Sequence, residues 1–167
     1  NRRQRQMCIR DRSKTSPSAG GYIAGNGELI SILKHEARAF IYSAAIPPPS
    51  AAAAKVAFDV IEEEPWRVEK IQTNYKRFAD KLKAVGYNLL FTETAIVPVV
   101  CGATAKAAAL AKYCQENGIF VQAIPAPVVP EGLTRLRACI SAAHTIEDID
   151  YCADVIIDGG KKLGIID

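Results

Sequence analysis

Two groups of residues in this sequence could do chemistry. The first is Lys14, set in Ser13-Lys14-Thr15-Ser16-Pro17-Ser18-Ala19-Gly20-Gly21-Tyr22-Ile23-Ala24-Gly25. A lysine held in a loop of small residues can form an imine with an aldehyde cofactor, and the hydroxyls beside it can hydrogen-bond a phosphate. The second is Pro127-Val128-Val129-Pro130-Glu131-Gly132-Leu133-Thr134-Arg135-Leu136-Arg137. Arginines two apart on a strand share one face. Among apolar neighbours a guanidinium needs an anion, and its fork of donors suits a planar carboxylate. Each group also has a plain reading: a solvated loop lysine, and two arginines exposed on an edge strand.

The elements that would position these groups follow from hydrophobic spacing. Gly21–Gly25 is expected to be a short buried strand, and Glu28–Ala37 a helix with Leu29, Ile30 and Leu33 inward. Phe40-Ile41-Tyr42-Ser43 is expected to be a strand running into Pro47-Pro48-Pro49. Those prolines cannot donate inside a helix, so they mark the start of one that continues through the alanine-rich Ser50–Glu64. Pro65 interrupts it. Beyond Pro65 the positions Ile71, Tyr75, Phe78, Leu82 and Val85 step by four and three along one helical face, which Gly86 closes. Strands are expected at Ile96–Cys101, Ile119–Gln122 and Thr134–Ser141, with a helix over Thr104–Asn117 ended by Gly118. Thr145-Ile146-Glu147-Asp148 has the form of a capping box, opening a last helix with Ile149, Cys152 or Ala153, and Ile156 inward. From Gln72 onward the pattern is that of a small α+β domain.

Composition sets the outer bounds. At 167 residues, 49% hydrophobic and 23% charged, the chain can bury a real core. Its net charge of +3 is concentrated in Arg2, Arg3, Arg5, Arg10 and Arg12, and the remainder is close to neutral, so nothing there invites nucleic acid. The five cysteines, Cys8, Cys101, Cys114, Cys139 and Cys152, form no Cys-x-x-Cys pair and read as small apolar residues rather than as a metal or redox site. No apolar run approaches a membrane span, and no secretion signal is present, so the expected location is the cytoplasm. Residues 1–12 have no hydrophobic period. They could be an RNA-binding arm, a targeting tail or sequence foreign to the protein, and the likeness of Met7-Cys8-Ile9-Arg10-Asp11 to translated adapter sequence favours the last.

Four ordered stretches together carry a family resemblance: Ser13–Gly25, Phe40–Pro48, Pro127–Arg137 and Ser141-Ala142-Ala143-His144-Thr145. In order and spacing they resemble the C-terminal half of the α-oxoamine synthases, pyridoxal-phosphate enzymes that join an amino acid to an acyl thioester. The resemblance implies an α/β, type I PLP-dependent transferase fold, represented here by the end of the large domain and the α+β C-terminal small domain. It divides the chain into a non-native or disordered leader (1–12), a remnant of the cofactor-binding large domain (13–49), connecting helices (50–71) and the small domain (72–167). It implies pyridoxal 5'-phosphate as cofactor, with Lys14 as the imine-forming lysine, Ser13 beside it, and Ser43 reaching the cofactor phosphate of a partner subunit in a homodimer. It places the substrate carboxylate on Arg137 and leaves Arg135 and His144 structural roles.

The substrates so implied are a small amino acid, glycine or alanine, and an acyl-CoA, condensed to an aminoketone, with no nucleic acid, membrane span or metal. Two departures stand out: Ala44 lies where relatives often carry a hydroxyl, and Arg10-Asp11-Arg12 precedes Ser13 where they carry Gly-Thr and an apolar residue. The chain is therefore expected to be the C-terminal part of a longer enzyme, inactive by itself. Alternatives are a type I aminotransferase and a non-catalytic α+β interaction domain.

Overall fold

The computed structural model describes the backbone of residues 7–11 and the whole of residues 21–167. The chain divides into two compact units, 1–65 and 66–167, each described by itself.

In the first unit, β1 (Met7–Asp11) pairs antiparallel with β2 (Gly21–Gly25), Ile9 opposite Ile23. Part of the stretch expected to stand outside the fold thus takes a backbone partner in it. β2 forms where expected, but it is not buried. A two-stranded ribbon offers little cover, and among the described residues β2's recorded ring contact is Tyr22 against Phe58, centroids 5.3 Å apart and nearly perpendicular. α1 (Gly27–Glu36) begins at Asn26, whose side chain accepts from the Leu29 N–H.

The strand expected at Phe40–Ser43 is instead a single helical turn, α2 (Arg38–Ile41). Ala37 O accepts from Phe40 and Ile41, and Arg38 O accepts from Tyr42 at 3.0 Å, so local bonds satisfy the backbone that a sheet would otherwise have to satisfy. The prolines behave as expected, opening α3 (Pro48–Glu63) from Pro47.

The second unit holds the core. α4 (Trp66–Ala84) restarts after the break at Pro65 and buries Phe78, Ala79 and Leu82. Gly86, at φ +91, ends it, and the Tyr87 N–H returns to Leu82 O. β3 (Ile96–Gly102), β4 (Gln122–Ile124) and β5 (Thr134–Cys139) form an antiparallel sheet in the order β3-β5-β4, so β5 is central. α5 (Thr104–Glu116) and α6 (Ile146–Lys162) pack with α4 on one face of this sheet. Val97, Val99, Leu110, Leu136, Ile149 and Ile156 meet there, essentially without exposure.

β4 starts three residues later than expected. Gly118 and Ile119 are still returning their N–H groups to Gln115 and Cys114 at the end of α5, and the chain becomes free to pair only afterwards. The capping box is present: Thr145 Oγ1 accepts from the Asp148 N–H, and Asp148 Oδ2 accepts from the Thr145 N–H. The Thr145 N–H donated to the carboxylate, with a side-chain hydrogen bond from the same residue, holds the Asp148 carboxyl below the usual carboxylate range. No helix of the described residues is long and apolar enough to cross a membrane.

Candidate functional site

β5 alternates strictly. Thr134, Leu136 and Ala138 point into the core, so Arg135, Arg137 and Cys139 take the opposite face. That face carries no helix from α4, α5 or α6, and the cross-strand neighbours of the arginines on it are uncharged. Arg137 lies opposite Pro98 on β3 and Gln122 on β4; Arg135 lies opposite Val100 and Ile124. Neither has an acidic cross-strand neighbour. The two side chains line a cavity of about 480 Å³ with Phe91, Thr92, Ile96, Pro98, Ile124 and Val129.

The two arginines are held differently. Arg135 donates from Nε to Leu133 O at 2.9 Å, in a turn shaped by Gly132 at φ +78. Arg137 has no hydrogen-bond or ion-pair partner among the described residues. Both are half-buried. A half-buried guanidinium with no counter-charge has given up part of its hydration without replacement, so its stable complement is an anion.

The turn after β5 is fixed from a distance. Asn74 on α4, 2% exposed, donates through its amide to Ser141 O (3.1 Å) and His144 O (3.0 Å). The Ser141 N–H donates to His144 Nδ1 at 3.2 Å, and the Ala143 N–H to Ser141 Oγ at 3.1 Å. His144 is thus tied into the turn that joins the arginine strand to α6. Sequence reasoning missed Asn74, although a signal existed: it is the polar residue on the inward stripe between Ile71 and Phe78.

Of the residues singled out from the sequence, Ser13 and Lys14 lie outside the described residues. Ser43 belongs to the first unit, where its hydroxyl donates to Phe40 O at 3.3 Å. It lines a cavity of about 560 Å³ with Tyr22, Ile30, Leu33, Lys34 and Phe40. Among the described residues no three His, Cys, Asp or Glu side chains converge to hold a metal. Cys101, Cys114 and Cys152 are free thiols whose burial pushes them up to about 11, about 12 and about 11. They are poor nucleophiles at neutral pH.

Comparison with known proteins places the chain in a family and a fold. The sequence model of the aminotransferase class I and II family matches residues 9–156. An 8-amino-7-oxononanoate synthase from Symbiobacterium thermophilum is 38% identical over 154 residues, covering 92% of this chain and 39% of that protein. The chain therefore spans about two fifths of the length of the curated relatives it matches. Serine palmitoyltransferase from S. paucimobilis, solved with bound PLP–myriocin, superposes with a TM-score of 0.83 at 25% identity, over 96% of this chain and 41% of its own. The 8-amino-7-oxononanoate synthase of Francisella tularensis shares the fold at 21% identity, with a TM-score of 0.77 over 93% of this chain and 46% of its own.

Proposed function

The chain belongs to the aminotransferase class I and II family and falls among its α-oxoamine synthases, and from that premise we propose that it forms the C-terminal portion of a PLP-dependent C-acyltransferase. The reaction is condensation of a small amino acid, glycine or alanine, with an acyl-CoA thioester to an aminoketone. One observation carries the reading: the unpartnered guanidinium of Arg137, aimed from the central strand into an apolar-walled cavity. It fits a substrate carboxylate.

The residues present also fit the cofactor's anionic end. The Ser43 hydroxyl is exposed and shares its cavity with Lys34, a hydroxyl and a cation of the kind a phosphate recruits. PLP, when bound, would supply an electron sink for the pair left behind when the amino acid loses its α-proton. Lys14 would anchor the cofactor and would take the substrate α-proton at Nζ. Arg137 would hold the substrate carboxylate, and Asn74 with His144 keeps the following turn from shifting Arg137. Assembly as a homodimer is part of the proposal, supported by the exposed apolar side chains Ile32, Phe40, Tyr42 and Val56 of the first unit.

The deciding assay takes the full-length enzyme that carries this chain, supplies glycine or alanine with acyl-CoA, and follows CoA release. Release that depends on the amino acid, and that falls by about 10²-fold or more in Arg137→Met, supports the proposal. Amino transfer to a 2-oxo acid without CoA release would identify an aminotransferase instead.

A further inference from the structure

Arg137 accounts for one carboxylate, yet the cavity holds two guanidinium groups. Arg135 and Arg137 sit at alternate positions of one strand, about 7 Å apart at Cα, and both line the same space. The lining residues include no Asp or Glu, and the nearest cross-strand neighbours are Pro98, Val100, Gln122 and Ile124. Two like charges this close, with apolar walls that focus their field, call for two negative charges rather than one. Arg135 is also pre-set for binding. Its Nε is committed to Leu133 O at 2.9 Å, which fixes the guanidinium and leaves both Nη groups to donate.

We propose that Arg135 and Arg137 form a single site for one ligand bearing two carboxylates a few carbons apart, with one guanidinium gripping each. This rests on the reading of Arg137 as the carboxylate-binding arginine and adds to it a class of ligand. The cavity, at about 480 Å³, has room for a five-carbon dicarboxylate with part of its chain against Ile96, Pro98 and Val129. Joining the two anions in one molecule avoids ordering a second ligand, so the gain appears as a chelate effect in affinity.

The test is calorimetric titration of the full chain with butyrate and with glutarate, which differ by one terminal carboxylate. The expected result is glutarate binding one per chain at least about tenfold tighter than butyrate. In Arg135→Met that preference collapses towards unity, while Arg135→Lys, which keeps the charge, retains part of it. Circular dichroism of each variant checks that the fold is intact. The proposal is overturned if glutarate is no tighter than butyrate, if butyrate binds two per chain without a glutarate advantage, if Arg135→Met keeps the preference, or if neither ligand binds. Failure here and failure of the underlying reading look different. Lost glutarate preference with butyrate binding still abolished by Arg137→Met removes only the two-carboxylate site; butyrate binding untouched by Arg137→Met removes both.

Discussion

Gly160→Ala sets two physical effects of opposite sign against each other. In an exposed helix this change stabilises by about 1 kcal/mol, because alanine is the better helix former. Gly160 sits near the end of α6, and a Cβ added there would overlap the Tyr87 hydroxyl and approach Tyr87 Cζ to 2.8 Å. Tyr87 cannot give way freely. It is 4% exposed, and its hydroxyl donates to Ile156 O at 2.8 Å. Overpacking costs about 1–3 kcal/mol, and losing a buried hydrogen bond adds about 1 kcal/mol.

After the propensity gain is subtracted, the variant is expected to lose about 1–3 kcal/mol. For a unit of this size each kcal/mol lowers Tm by about 4–8 °C. The assay is urea and thermal unfolding followed by far-UV circular dichroism, in the parent, Gly160→Ala, Tyr87→Phe and the double variant. Removing the hydroxyl should shrink the Gly160→Ala penalty without erasing it, since Cζ remains close. A Gly160→Ala protein as stable as the parent, or an unchanged penalty in the Tyr87→Phe background, would refute the packing argument.

Three further outcomes are expected. Asn74→Ala should cost about 1–3 kcal/mol in urea unfolding, because it strips two part-buried carbonyls of their donor; Asn74→Leu should be no milder, and a neutral Asn74→Leu would show that the hydrogen bonds do not matter. Asp150 accepts two hydrogen bonds from Arg77, at 2.8 and 2.6 Å, which hold its carboxyl below the usual range. A depressed folded-state value contributes stability that is complete above the ordinary aspartate range and is lost as pH falls through the folded value. The urea midpoint should therefore decline in acid, less steeply in Asp150→Asn, and an identical acid limb in that variant would exclude the pair as a cause. Iodoacetamide at neutral pH, mapped by mass spectrometry, should label exposed Cys139 well before Cys101, Cys114 and Cys152, whose burial suppresses the thiolate.

Where a feature depends on neighbours within a few residues, the sequence determined it. The four-and-three spacing of Ile71 to Val85 predicts α4, Gly86 and Gly118 predict where α4 and α5 stop, and Thr145 with Asp148 predicts the start of α6. The alternation of Thr134 to Cys139 likewise puts Arg135 and Arg137 on one face, because a strand has a period of two. The family resemblance carried by the ordered stretches was legible in the same way.

Tertiary structure decided what depends on partners far along the chain. Asn74 matters through carbonyls 67 and 70 residues away, and Gly160 through a tyrosine from the end of another helix. The missing counter-charge around Arg137 is a property of β3, β4 and the segment ahead of β3 together. Phe40–Ser43 shows the converse. Its apolar, aromatic composition suits a strand, but a strand needs an edge to pair with, and local helical bonds satisfied its backbone instead. The sequence by itself named the arginines and their shared face; the fold alone left one of them without a partner in a largely apolar cavity, and its proposed role as a binding group rests on that.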